Sequence, residues 1–177
     1  MNPVHIIPMT VADLATLQTI SRETFRETFA SGNTEENMRK YLEENLSQER
    51  LRAEFEASGS EFHFAALDGE VIGYLKLNHG QNQTELQDER AVEIERIYVL
   101  KAFHGKQVGQ LLYEKAIQVA RDAGADYVWL GVWEENPRAI QFYKKNGFVE
   151  FDRHIFQLGE DAQTDIMMRL ELMPESC

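Results

Sequence analysis

The sequence has a single cysteine, Cys177 at its last position, so no disulfide can form within the chain. It also lacks any run of about 18 apolar residues, and we expect no transmembrane helix. Residues 1–10 contain no basic segment followed by a long apolar stretch, so we expect no secretory signal. Together these absences predict a cytoplasmic protein.

Basic residues are few: the sequence has 18 lysines and arginines but 30 aspartates and glutamates. Its formal net charge is −12. A field of this sign repels nucleic acids and anionic membrane surfaces, and we expect neither as a partner. It attracts cations such as polyamines and basic peptides. An acidity that only keeps the protein soluble is an equally good interpretation of the composition.

The length of 177 residues suits one domain with its own core, and we expect residues 1–177 to form a single domain. Apolar periodicity and turn residues predict strands at 5–7, 62–66, 71–77, 92–99, 127–132, 148–157 and 163–172. They predict helices at 11–30, from Asn33 or Thr34 to Leu46, from Ser47 to Gly59, at 107–123 and from Asn136 to Gly147. Strand–helix–strand units in the second half indicate parallel pairing, and the Asp68-Gly69 turn indicates an antiparallel hairpin. The predicted class is α/β (α+β), with a mixed sheet covered by helices on both faces.

The segment from Val99 to Leu112 is predicted to contain a strand end, a loop with Gly105 and Gly109, and a helix start. Main-chain N–H groups at a helix start lack intrahelical acceptors, and the helix dipole makes that end partly positive. Glycine lets the main chain approach an anion closely. Such a turn can hold a phosphate or pyrophosphate, although a plain strand-to-helix turn explains these residues as well. The segment is neither a P-loop nor a dinucleotide-binding fingerprint.

The segment from Asn136 to Phe148 is predicted to be a helix with apolar residues on one side and an abrupt end at Gly147. Aromatic residues at helical spacing are commonly part of a core. A core role does not explain why this segment follows the glycine-containing loop by about 30 residues.

Together the two segments resemble the motifs of the GNAT acetyltransferases. The family pattern after the fourth strand is Gln/Arg-x-x-Gly-x-Gly/Ala, followed later by Asn-x-x-Ala-x-x-x-Tyr-x-x-x-Gly-Phe. The second pattern is matched fully, by Asn136, Ala139, Tyr143, Gly147 and Phe148. The first is matched at Gly109 and departs at His104 and Gln107, with Gly105 restoring part of the main-chain freedom.

A closer similarity is to the PaiA-type spermine/spermidine N-acetyltransferases. It rests on the segments Phe25–Leu42, Glu93–Val99, Trp129–Glu134 and Gly159–Met168. The resemblance covers nearly the whole chain and implies a single GNAT domain with a mostly antiparallel sheet of about seven strands. It also implies acetyl-CoA as the co-substrate and a primary amine, such as spermidine or spermine, as the acceptor.

The resemblance further implies roles for individual residues. Tyr143 is expected to be the general acid, and Glu93, with Glu95 on the same strand face, the general base. Residues expected to hold acetyl-CoA are Ile97, Tyr98, Val99, His104, Gly105, Lys106, Gln107, Val108, Gly109, Gln110, Asn136 and Tyr143. Acidic residues expected to bind the acceptor are Glu27, Glu35, Glu36 and Asp165.

Several alternatives stay open from the sequence. Either glutamate could instead pair with Arg96, Arg90 or Lys101, and any one acceptor carboxylate could belong to a solvated helix face. The acceptor could be a protein N-terminus, an aminoglycoside or another small amine, or the chain could bind acetyl-CoA without turnover. We expect no metal, because His5, His63, His79 and His154 show no ligand spacing, and either a monomer or a homodimer.

Overall fold

The computed structural model describes residues 3–172, and Cys177 lies outside that range. Its sheet has seven strands in the order β1-β2-β3-β4-β5-β7-β6. The strands are β1 (His5–Pro8), β2 (Ser60–Leu67), β3 (Glu70–His79), β4 (Ala91–Val99), β5 (Tyr127–Trp133), β6 (Val149–Leu158) and β7 (Asp161–Glu171). Every neighbouring pair is antiparallel except β4–β5. The predicted mixed, mostly antiparallel sheet is therefore confirmed.

The described helices also agree with the sequence patterns. They are α1 (Leu14–Phe29), α2 (Glu35–Asn45), α3 (Gln48–Glu56), α4 (Val108–Asp122) and α5 (Pro137–Lys145). Thr34, Ser47 and Asn136 each cap the helix that follows by accepting a main-chain N–H. The predicted single helix over 11–30 is instead α1 with a short 3₁₀ turn at each end. No helix within residues 3–172 combines the length and apolar character needed to cross a bilayer.

The sheet buries side chains on both faces because helices cover both. Phe64 and Tyr74 pack towards α1 and α3, in one apolar cluster. Leu75 and Leu77 point to the opposite face, as alternation along a strand requires, and join the cluster around Leu112 of α4. Side chains of β3 are therefore buried on both faces of the sheet. The neighbouring strand β4 is the central one of the seven.

The parallel pairing of β4 with β5 is short. It runs from Ala91 opposite Tyr127 to Ile94 opposite Leu130, although both strands continue further. The next residue, Glu95, is an extra residue against β3, since Lys76 pairs with Arg96 and Leu77 with Ile94. A bulge of this kind bends its strand and increases the local twist. Beyond it β4 and β5 separate, and a cleft opens between them.

Candidate active site

The cleft between the separated strands has a volume of about 1430 Å³ and three parts. At one end it is lined by the loop between β4 and α4, here called the phosphate loop (residues 104–110), of which only Lys106 is not among the lining residues. Its centre is lined by residues 93–99 of β4, residues 129–133 of β5 and the start of α5. At the other end lies the aromatic chamber, formed by Phe25, Phe29, Tyr41, Trp133 and Phe156.

The phosphate loop has the geometry of an anion site. Gly105 and Gln107 both have positive φ, 78° and 67°, and Gln107 is the residue that precedes α4. The first helical bond of α4 runs from the N–H of Leu111 to the oxygen of Gln107. The N–H groups of residues 108–110 therefore have no intrahelical acceptor and lie at the positive end of the helix dipole. No atom lies within 4 Å of a Cβ built on Gly105, so the loop leaves open space for a pyrophosphate.

His104 joins the two walls of the cleft. Its Nε2 lies 2.9 Å from the main-chain oxygen of Val99, at the end of β4. Its Nδ1 lies 2.6 Å from Nη1 of Arg138, in the first turn of α5. The carbonyl can only accept and the guanidinium can only donate, so Nε2 carries the proton and Nδ1 accepts from Arg138. His104, one of the two residues that depart from the family pattern, thus connects the phosphate loop to α5.

Helix α5 and its N-cap bring two predicted residues to the cleft. Asn136 accepts the N–H of Ala139 through Oδ1, at 3.3 Å, and so caps the helix. Tyr143, two turns further on, lines the same cleft and packs edge-on against Phe142 and Phe148. Burial raises the pKa of Tyr143 above its ordinary value, so the phenol keeps its proton at neutral pH.

The two glutamates of β4 lie side by side. Nδ2 of Asn78 on β3 donates to Oε1 of Glu93 at 3.0 Å and to Oε1 of Glu95 at 2.9 Å. Glu93 also accepts the main-chain N–H of Thr84 at 2.8 Å and its hydroxyl at 2.6 Å. Burial raises the pKa of Glu93, although these hydrogen bonds oppose the shift.

Glu95 has the opposite electrostatics. Burial by itself would raise the pKa of Glu95, but Arg96 and Lys76 outweigh it and hold the value at about 2. Lys76 lies 2.9 Å from both Glu54 and Glu95, and Arg96 contacts the same two carboxylates at 2.9 and 3.0 Å. These two cations and two anions form a charge square beside the cleft, and only Glu95 and Arg96 of the four line it. Arg50 adds a more exposed cation 3.4 Å from Glu54. The sequence left open which glutamate pairs with Arg96, and in the structure it is Glu95.

The aromatic chamber is built by ring contacts. Phe25 stacks on Tyr41 with centroids 4.3 Å apart, and Phe29 lies 4.9 Å from Trp133. Asp165 of β7 lies beside the chamber, where its carboxylate is 3.3 Å from a Cβ built on Gly131. Burial raises the pKa of Asp165 to about 6.

The structure separates the four carboxylates predicted to bind the acceptor. Asp165 and Glu27 both line the cleft, and Glu27 accepts the main-chain N–H of Lys101 at 3.0 Å. Glu35 and Glu36 lie in the exposed first turn of α2 and are not among the residues that line the cleft. Glu36 instead pairs with Arg39 on the surface of that helix.

Several residues that hold or line the site were not found from the sequence. Lys76 and Asn78 alternate with leucines in β3, and that pattern was a usable signal of a polar stripe on a buried strand. Thr84 lies in the polar loop after β3, where composition alone marks nothing. Within residues 3–172, no group of three or more histidine, cysteine or acidic residues is placed to hold a metal ion.

The fold and the cleft are those of a coenzyme A-dependent acyltransferase, and comparison with known proteins identifies the family. Residues 17–148 match the acetyltransferase (GNAT) family. The chain therefore belongs to the GNAT family, its reaction is N-acetyl transfer, and acetyl-CoA is its co-substrate.

Individual relatives agree with this assignment. The chain is 41% identical over 173 residues to an uncharacterized N-acetyltransferase in the pepI 3′ region of Lactobacillus delbrueckii subsp. lactis, covering 98% of this chain and 100% of that one. It is 29% identical over 149 residues to the spermidine N(1)-acetyltransferase of Thermoplasma acidophilum, covering 82% and 88%. The crystal structure of PaiA N-acetyltransferase from Thermoplasma acidophilum, in complex with coenzyme A, superposes with a TM-score of 0.80 at 25% identity, covering 96% and 99%.

The charge square generates a stability prediction. Replacing Lys76 with methionine leaves the largely buried Glu54 and Glu95 with Arg96 as their only shared cation, and we expect the free energy of unfolding to fall by about 3–5 kcal/mol. Arg39→Met is the matched control, because Arg39 pairs with Glu43 while both side chains are 60% exposed. Its expected cost is below about 1 kcal/mol. Urea denaturation measures both, and equal losses would contradict the structural role of the square.

Proposed function

We propose that the acceptor is a polyamine such as spermidine or spermine, acetylated on a primary amine with Glu93 as base and Tyr143 as acid. The observation that carries this proposal is that a carboxyl of raised pKa and a protonated phenol line one cleft, beside a chamber for an organic cation. The similarity to a spermidine acetyltransferase supports the choice of acceptor, as does the net charge of −12.

Glu93 provides the first chemical step. An alkylamine has a pKa of about 10.4 and must lose a proton before it can attack the thioester carbon. Burial raises the pKa of Glu93 towards the working pH, which improves a carboxylate as a proton acceptor. Glu95 is less suited to that role, because Arg96 and Lys76 keep it ionised and occupy its oxygens.

The end of β4 provides the second element. The attack creates a negative oxygen, and the main-chain N–H groups of Ile97 and Val99 face the side from which β5 has moved away, because Tyr98 between them is paired with β3. Fixed donors of this kind typically contribute about 3–4 kcal/mol each to a transition state. The same strand edge can hold the pantetheine arm as an added strand would be held. The phosphate loop, including Lys106, and Asn136 complete the proposed acetyl-CoA contacts.

Tyr143 provides the third element, since the leaving thiolate must regain a proton. Its phenol is protonated at neutral pH because burial raises its pKa. A protonated group on the wall opposite Glu93 allows one residue to accept a proton while the other donates one. Direct transfer needs no enzyme nucleophile.

The remaining ammonium groups of the acceptor need their own partners. Glu54 and Glu95 are already neutralised by the charge square. Asp165 therefore becomes the proposed partner within the chamber, where Trp133 and Phe156 add aromatic faces that attract cations. Glu27 at the opposite side of the cleft is a second candidate.

The direct test is a panel of acceptors with purified protein, acetyl-CoA and a thiol reagent. CoA release with spermidine or spermine, at a kcat/KM at least tenfold above that with aminoglycosides and peptide N-termini, supports a polyamine acceptor. Preferential release with another amine would replace the acceptor but keep the chemistry. Binding of acetyl-CoA without release for any amine would contradict turnover altogether.

Tyr143→Phe tests the acid. We expect kcat to fall about 100-fold, in the range typical of general acid–base catalysis, while the Kd for acetyl-CoA stays nearly unchanged. Tyr113→Phe is the control, because Tyr113 packs against the same Phe142 and Phe148 rings but does not line the cleft. An unchanged kcat in Tyr143→Phe would remove this residue from the acid role.

The pKa of Asp165 predicts how acceptor binding depends on pH. Its carboxylate is ionised above about pH 6 and takes up a proton below that value. We therefore expect the KM for spermidine to rise as the pH falls from 7 to 5. Asp165→Asn should raise KM about tenfold at pH 7.5, equivalent to about 1.4 kcal/mol, and should remove the rise below pH 6. Asp152→Asn, on the exposed strand β6, is the control. A KM in Asp165→Asn that rises below pH 6 as steeply as in the unmodified protein would contradict the assignment.

A further inference from the structure

Glu93 has little access to the cleft in which it is proposed to act. The residue is only 3% exposed. Its Oε1 already accepts two hydrogen bonds, from Nδ2 of Asn78 and from the main-chain N–H of Thr84. Its Oε2 accepts one, from the hydroxyl of Thr84 at 2.6 Å. Thr84 itself is exposed and lines the cleft. Glu93 also borders the cleft, but its side chain is almost fully covered, and the hydroxyl bound to its Oε2 belongs to a residue that is exposed there.

We propose that Thr84 is a catalytic residue that relays a proton from the acceptor amine to Oε2 of Glu93. This inference rests on the proposed function, in which Glu93 is the base for an amine acceptor. A hydroxyl has one proton to donate and two lone pairs that accept, so Thr84 can hold the amine and the carboxylate at once.

The transfer balances in protons and bonds. The N–H bond of the attacking ammonium breaks, and its proton forms a new bond to Oγ1 of Thr84. The original Oγ1–H bond breaks in the same step, and that proton forms an O–H bond to Oε2 of Glu93. The amine keeps the electron pair that attacks the thioester carbon. Thr84 ends the step as a neutral hydroxyl, and Glu93 ends it as a carboxylic acid.

The loop around Thr84 is held in place by its neighbour Gln83, which is 1% exposed. Nε2 of Gln83 donates to the main-chain oxygens of Gly80 and Asp88, at 3.2 and 2.7 Å. Its Oε1 accepts the indole N–H of Trp129 on β5 at 2.7 Å. The loop is thereby attached to the sheet one residue before the hydroxyl, which keeps Thr84 in position before the acceptor binds.

Asn78 holds the other side of the carboxylate. Its Oδ1 accepts the hydroxyl of Ser60 at 2.9 Å, so its NH₂ group faces the two glutamates. Asn78 is fully buried. Both donors to Oε1 of Glu93 are thus fixed, and Oε2 is left to Thr84. Asn78 is a positioning residue, whereas Thr84 is in the path of the proton.

The test compares Thr84→Val and Thr84→Ser with the unmodified protein, as CoA release at saturating spermidine and acetyl-CoA from pH 6 to pH 9.5. Valine keeps the shape and removes the hydroxyl. We expect kcat of Thr84→Val to be roughly 100-fold lower, within the usual range of general base catalysis, and the deficit to persist at pH 9.5. Thr84→Ser should retain at least a third of kcat.

The pH dependence separates a relay from a supporting hydrogen bond. Loss of the donor to Oε2 raises the pKa of Glu93, so a purely supporting role would give a deficit at low pH that disappears once Glu93 is ionised. Recovery of kcat to the unmodified level at pH 9.5 would overturn the relay. Because the free amine titrates identically for both proteins, its effect cancels in the ratio of the two rates.

Two further variants complete the experiment. Gln87→Leu removes two hydrogen bonds from the same loop without contacting Glu93, and its kcat should be unchanged. An equal loss in Gln87→Leu would attribute the Thr84 effect to loop disorder and overturn the relay. Glu93→Gln tests the base itself. Full activity there would refute the base assignment and the relay together, whereas a low activity with an active Thr84→Val would refute the relay alone.

Discussion

The separation of β4 from β5 after Ile94 is the constraint on which the site depends. Four paired residues keep the two strands in one sheet, and the bulge at Glu95 then turns β4 aside. A continuous sheet would pair the main-chain groups of residues 95–99 with β5 and leave no room for a ligand. The loss of pairing supplies both the cleft and the polar strand edge, while helices on both faces keep the divided sheet packed.

The surroundings of Glu93 and Glu95 give these two identical side chains opposite shifts in pKa. Glu93 and Glu95 share the amide of Asn78, yet burial raises the pKa of the first and Arg96 and Lys76 lower that of the second. The charge square satisfies Glu95 within the protein, so this carboxylate contributes structure. Glu93 has only neutral donors, and its charge can change during a reaction without leaving a cation unpaired.

The order of strands and helices was predictable because it rests on local signals. The Asp68-Gly69 turn has the positive φ values that such a pair favours, and Asn136 caps α5 as expected. The bulge at Glu95 was missed, although the consecutive polar residues Glu95 and Arg96 interrupt the alternation of β4 at that point. Thr84 was missed since its role comes from a contact with a strand nine residues later. Glu35 and Glu36 were expected near the acceptor from their charge and their place at the start of the second helix, and neither signal encodes the exposed orientation of that turn.

His104 gives the cleft a fixed length. Because the ring connects the end of β4 to Arg138, the phosphate loop and the first turn of α5 are held at a set separation. In the proposed binding mode, acetyl-CoA is anchored by its diphosphate at the loop, and the length of its pantetheine arm then determines how close the thioester comes to Tyr143. An acyl donor with a shorter or longer arm would therefore place its carbonyl carbon at the wrong distance from Tyr143.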